Sequence, residues 1–460
     1  MNFLSFKWIK IAGCVMVCTS MLFGRVEIKT ENPDLKLGVT GLGWVESGQM
    51  VKFFNLDKEL DHNWINHTFM DLTLDAIYKE RLKISLGTEG LMWFNVPKMR
   101  GTGQATYVHQ ENATFIITEA NAAYSFGDVN SPYLSITAGL FPYKYNPQAR
   151  NLGEYLFRSG TYPAYLINNF DRVYARLTGF KLSSDLLAGK LHQDLIFNIE
   201  TEIPPFYDGS LSYLLDYNPS KIISLGAGIS FAHLASVDER VTTPKDEPKN
   251  IYNSTPGDTG YYTFRGTKLM ANLCFDPKAI FNASQNGTGI FGEEDFKIYG
   301  EALILGLENY PANDSIDPMT GSRTPGKNTW GYDDVLKKMP VIFGFNFPTF
   351  KILNVLSLEF EWYGCEYPNS YKNRLGPGKS SSYPVPDDPA RIQVNYAATD
   401  NWKWSVYAKR TFLNDHLGCV LQVARDHIRN ITLVNESYDY EEVLSRPDQF
   451  WWMAKIFAAF

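Results

Sequence analysis

The seven histidines of this chain, at positions 62, 67, 109, 192, 233, 416 and 427, are the first residues to test for chemistry. A hydrolase needs a nucleophile, a base and an orienting polar group within hydrogen-bond reach of one another. None of these histidines sits beside a serine in a Gly-x-Ser-x-Gly elbow, the strained turn that exposes such a nucleophile. Between His62 and His67 the sequence reads Asn63-Trp64-Ile65-Asn66, with no carboxylate to complete a zinc triad. Gly287-Thr288-Gly289 is too short to cradle a phosphate. The expectation is a chain without a catalytic, cofactor or metal site. What remains is fixed charge. Arg150, Glu154 and Arg158 recur at four-residue spacing among Leu152, Tyr155, Leu156 and Phe157. Such a segment is suited to lay apolar groups on a wall while its charges face water. Charges beside a narrow passage with low-dielectric walls set which ions cross it.

Those charges act only if other elements hold them around a passage, and the rest of the chain supplies strands. Alternation and turn punctuation mark about sixteen strands, with fourteen to eighteen as the range. The first lies near 34–46 and the last near 449–460. Leu356, Leu358, Phe360 and Trp362 alternate with Ser357, Glu359 and Glu361, and Trp402, Trp404, Val406 and Ala408 with Lys403, Ser405, Tyr407 and Lys409. If the polar faces turn inward, Arg172, Arg176, Lys268, Lys403 and Lys409 offer positive charge. Glu119, Glu200, Glu301, Glu359 and Glu361 then offer negative charge. With both signs present, neither anion nor cation preference follows.

Connections alternate short and long. Lys79-Glu80, Asn218-Pro219-Ser220 and Leu413-Asn414-Asp415 are short, whereas segments near 47–63, 143–169, 307–338 and 365–400 are long and rich in Gly, Pro, Asn, Asp and Ser. A two-sheet sandwich has no reason to sort its loops in this way, but a membrane-spanning barrel with short periplasmic turns and long outer loops does. Segment 276–294 is the exception, a long connection at the periplasmic end that begins with the helix-like Asp276-Pro277-Lys278. Mean hydropathy is −0.23 and aromatic content 15%. After the leader no uncharged apolar run reaches the length of a spanning helix, about eighteen residues. The net charge of −7 is well mixed and gives no nucleic-acid footprint.

Residues 1–24 read as a signal peptide, with Lys7 and Lys10 ahead of an apolar run from Ile11 to Cys18. Ile11-Ala12-Gly13-Cys14 also has the form of a lipobox, but most of the apolar core follows Cys14 rather than preceding it. Beyond the leader Cys274, Cys365 and Cys419 remain, an odd number that excludes a complete disulfide framework. Residues 25–460 are expected to form one barrel domain, with no plug ahead of the first strand. The final strand alternates Phe450, Trp452, Ala454, Ile456, Ala458 and Phe460 against a face carrying Lys455.

The terminal Phe460 resembles the carboxy-terminal signal of Gram-negative outer-membrane barrels. Leu134-Ser135-Ile136-Thr137-Ala138-Gly139-Leu140-Phe141-Pro142-Tyr143, followed by Asn146-Pro147, resembles the porin strand that ends in Gly-x-Phe and leads into the third outer loop. The resemblance implies a loop 143–169 folded into the lumen as a constriction. It also implies a passive outer-membrane channel for small hydrophilic solutes, contact with outer-membrane lipid and the barrel assembly machinery, and a homotrimer. The alternative function is a non-conducting barrel whose outer loops serve adhesion or recognition.

Overall fold

The computed structural model describes residues 26–51, 63–93, 96–99, 105–108, 112–129, 132–157, 164–165, 175–199, 207–235, 266–280, 289–304, 315–316, 323–324, 339–362, 402–426, 428–429, 432–434, 437–439 and 448–459. Arg158, Arg172, Glu200, Cys365, Phe460 and the leader lie outside them.

The principal strands are β1 (Leu35–Met50), β2 (Asn63–Tyr78), β3 (Leu82–Trp93), β4 (Asn112–Gly127), β5 (Pro132–Tyr143), β6 (Ala175–Leu186), β7 (Leu191–Ile199) and β8 (Gly209–Tyr217). They continue with β9 (Ile223–Ala235), β10 (Gly266–Phe275), β11 (Ile298–Ile304), β12 (Val341–Asn346), β13 (Val355–Trp362), β14 (Trp402–Phe412), β15 (Leu417–Arg425) and β16 (Trp451–Ala459). Each pairs antiparallel with its neighbour in sequence, and β16 returns to pair with β1 from Leu42↔Ala459 to Met50↔Trp451. The result is the closed antiparallel barrel read from the alternation. Closure satisfies the backbone along every edge, which a spanning sheet requires because lipid offers no hydrogen bonds.

The seam differs from the sequence expectation in one respect. No strand is expected before residue 34, yet Val26–Ile28 pairs with Leu37–Val39 on the edge of β1 that β16 occupies further along. Stagger is the reason: β1 has 16 residues and β16 only 9, so the start of β1 extends past the end of β16.

Sidedness is inverted relative to a water-soluble domain. Leu74, Leu421 and Ile456 are 49%, 52% and 64% exposed, while Glu359, Glu361 and Lys403 are at most 1% exposed. Buried charge with exposed aliphatics is unfavourable in water and is what lipid outside a polar interior selects. Aromatic residues mark both rims. Trp64 packs edge-on against Trp452 at the loop end, where the exposed Trp402 begins β14, and Tyr78, Tyr217 and Phe412 stand at the turn end. Trp402 and Phe412 begin and end β14. At ~3.3 Å per residue and a tilt of ~40°, their separation along the axis is about 25 Å, the height of an outer-membrane apolar band.

Two apolar clusters fill parts of the interior. One joins Trp44, Phe69, Leu91, Val355, Tyr407, Val420 and Phe457 around the seam. The other joins inward residues of β5 to β12 to the segment that follows β5. Among the described residues no helix is long and apolar enough to cross a membrane.

Candidate functional site

The site begins where β5 ends. Gly139 has φ +118°, and a Cβ there would lie 2.2 Å from the Ala120 carbonyl oxygen on β4, so only glycine lets the two backbones approach this closely. Two residues on, Phe141 and Tyr143 point inward, and the Tyr143 hydroxyl donates to Asp194 Oδ2 on β7 at 2.7 Å. The chain then turns into the barrel. Tyr145, Leu152, Tyr155 and Leu156 pack with Phe141, Leu177, Ile196, Leu214, Met270, Leu303 and Ile342.

Apolar packing places the segment, and two wall carboxylates fix it. Glu301, on β11, accepts the Tyr145 hydroxyl at 2.6 Å, the Asn146 side-chain amide at 2.9 Å, and the backbone N–H groups of Glu154 and Tyr155 at 3.0 and 2.9 Å. Glu359, on β13, accepts the backbone N–H groups of Arg150, Asn151 and Leu152 at 2.6, 2.9 and 2.9 Å, and the Tyr299 hydroxyl at 2.8 Å. A carboxylate has about four acceptor positions, so each is filled. The N–H groups of a buried loop lack a ladder partner, and a carboxylate supplies one at about twice the strength of a neutral acceptor. Gly153, with φ +91°, brings the backbone to where an added Cβ would stand 3.3 Å from Glu301 Oε2.

Further contacts extend around the wall. Tyr155 donates its hydroxyl to Glu361 at 2.6 Å, Lys268 donates to the Leu156 carbonyl at 3.4 Å, and Asn151 donates to Asp426, just beyond β15, at 2.7 Å. The segment launched from β5 is thus bonded to β10, β11, β13 and the end of β15.

The residues singled out from sequence fall into several settings. Glu154, expected to face water, is 2% exposed; its carboxylate accepts the Asn146 backbone N–H. The reason is local: positive φ at Gly153 and Glu154 reverses the backbone and turns this side chain onto the loop itself. Arg150 Nη2 pairs with Glu294 at 2.7 Å. Arg176 pairs with Glu89 on β3 at 2.6 Å. Glu361 and Lys403 are cross-strand partners on β13 and β14. Lys409 lies 5.1 Å from the centre of the Phe457 ring.

Several interior charges were not singled out. Lys455 stands 4.5 Å from the centre of the Trp44 ring and opposite Glu46 across the seam; its alternation on the last strand was signal enough. Glu89, Asp194 and Asp426 carry no sequence signal beyond a place in alternating strands or near strand ends. Among the described residues no group of three or more His, Cys, Asp or Glu is arranged to hold a metal ion.

Neither a protein-family model nor a curated protein sequence matches the chain. Among solved structures, it is similar to OmpF of Salmonella typhi in complex with daunomycin, at 9% identity and TM-score 0.47, over 95% of this chain and 100% of that one. It is also similar to a triple mutant of the porin of Rhodopseudomonas blastica, at 7% identity and TM-score 0.42, over 92% of this chain and 100% of that one.

Proposed function

We propose that this chain is a porin-like outer-membrane channel for the passive diffusion of small hydrophilic solutes, narrowed by the segment that follows β5. One observation carries the reading: the inward segment 144–157 is bonded by Glu301 and Glu359 on the far side of the barrel from the strand that launches it. Barrels of about sixteen strands are wide enough for an aqueous channel, and a loop pinned across such a barrel narrows it without closing the sheet. In this reading the long connections lie outside the cell and the short turns in the periplasm. The leader 1–24 directs export, Phe460 is read by the assembly machinery, and three copies associate. Solutes pass on the side left free by the loop. Interior charges that keep exposure to that passage, Arg150 and Glu294 at 23% and Arg176 at 18%, carry both signs, so selection rests on size more than on ionic sign. The protein performs no covalent chemistry.

Purified protein in a planar bilayer tests this. Discrete single-channel currents are expected, and deletion of 150–160 should enlarge them. A barrel that inserts but passes no current is a scaffold, and unchanged conductance after the deletion removes the constriction.

A further inference from the structure

The described residues of the connection between β10 and β11, 276–280 and 289–297, form a built structure at the turn-end rim rather than an elongated turn. Asp276 caps the 3-10 turn Pro277–Ala279 by accepting the Lys278 backbone N–H at 3.1 Å. The buried Lys278 ammonium bonds Asp276 Oδ2 at 3.1 Å and also donates to the Asp295 carbonyl. The Asp295 side chain, fully buried, accepts the backbone N–H groups of Gly292, Thr349 and Phe350 at 2.7, 3.1 and 3.2 Å, and the Thr349 hydroxyl at 3.0 Å. Phe291 packs against Phe296 and Phe350, with ring centres 5.0 and 5.7 Å away. The connection is therefore locked to the turn between β12 and β13.

Its product is the placement of Glu294. Lys297 holds one carboxylate oxygen at 2.7 Å, and Asn346 reaches the other at 3.4 Å. That second oxygen also receives Arg150 Nη2 at 2.7 Å, while Arg150 Nε is buried with no partner among the described residues. The backbone of Arg150 is fixed separately by Glu359. The inner loop, which enters from the loop end, is thus held from the turn end as well. Both members of the ion pair keep 23% side-chain exposure, so they border water rather than the apolar cluster.

We propose that Glu294 is a positioning and selectivity residue of the channel: it braces the constriction loop from the turn end and neutralises the Arg150 charge beside the solute path. This rests on the reading of 144–157 as the constriction. A connection longer than its fellows at this rim is explained by the brace it carries, since a tight turn at β10–β11 has no residue to reach Arg150.

The experiment has an electrical and a non-electrical arm. Reversal potentials in a salt gradient should move toward anions in Glu294→Gln, where Arg150 is left uncompensated, and toward cations in Arg150→Gln, with the double variant close to wild type. In detergent micelles, hydrogen exchange of the 150–152 amides should quicken by about tenfold or more in Glu294→Gln, the scale of one charge-assisted hydrogen bond. Unchanged exchange in an assembled Glu294→Gln barrel overturns the proposal, as does an unchanged reversal potential. If Glu294→Gln does not assemble, the exchanged pair Arg150→Glu/Glu294→Arg decides: recovered barrel and exchange support the brace, and failure to recover removes it. A wild-type barrel that conducts nothing refutes the channel reading, and the exchange arm still decides the brace.

Discussion

Leu152 donates its backbone N–H to Glu359 at 2.9 Å, although the loop carrying Leu152 leaves the wall at β5 and Glu359 stands on β13, the eighth strand beyond it. A bond across that span holds the loop away from the wall it came from. It makes the wall carboxylates, rather than the loop's own charges, the residues on which the interior arrangement depends.

Replacing Glu301 or Glu359 by Gln should release the loop. Glutamine keeps one acceptor oxygen and turns an NH2 toward groups that are themselves donors. Each lost charge-assisted bond is worth about 1.5–3 kcal/mol, and a buried donor left without a partner adds about 1–3 kcal/mol. The barrel wall itself remains intact. Larger and noisier single-channel currents are expected, together with faster amide exchange over 150–155; quiet channels of wild-type size would count against the pinning.

Gly139→Ala should weaken the barrel rather than the loop alone. The backbone at φ +118° admits L side chains at a cost of about 1–3 kcal/mol, and the added methyl meets the β4 backbone as well. The temperature at which the heat-modifiable band converts to its unfolded mobility should fall. An unaltered conversion temperature would show that the β4–β5 approach is not strained.

The two faces of the last strand predict opposite tolerance at adjacent positions. Ile456 is 64% exposed on the outside, whereas Lys455 is 4% exposed inside. Ile456→Lys puts a charge on lipid, at about 2–4 kcal/mol near the mid-plane, and should reduce recovery in the membrane fraction. Lys455→Gln should assemble normally. Equal recovery of both variants would contradict the assigned faces.

Acid should act on the Glu294 brace only at low pH. Burial works to raise this carboxyl, but the Lys297 hydrogen bond and charge, with Arg150 and Lys278, outweigh it and hold the group below its ordinary value of 4.5. A depressed carboxyl contributes its stabilisation above the ordinary value and loses it as pH falls through the lower, folded one. Reversal potential and 150–152 exchange should therefore be insensitive to this group from neutrality down to about the ordinary carboxylate range, and should change below it. In Glu294→Gln that low-pH change should vanish, and its persistence would assign it to another carboxylate.

Much of this architecture was legible in the residues. A period of two has only two faces, so alternation in β13, β14 and β16 showed which side chains share a side, and turn-rich punctuation put the strand count at about sixteen, within a range of fourteen to eighteen, and separated short from long connections. Where strands ran past the punctuation, as in β1, the reading stopped short, and the pairing of Val26–Ile28 carried no signal because three residues show no period.

The interior arrangement belongs to the tertiary structure. Sequence placed Arg150, Glu154, Glu301 and Glu359 among the candidates because charge on an inward face is visible locally. It gave no means of telling that Glu301 and Glu359 would each collect loop donors, that Glu154 would turn away from water, or that Arg150 would find Glu294. Glu154 and Asn146 are eight residues apart but meet only through the reversal at Gly153 and Glu154, and the other partners are more than a hundred residues apart and meet only once the barrel has closed; hydrogen bonds depend on distance and direction, which alternation along a strand does not encode.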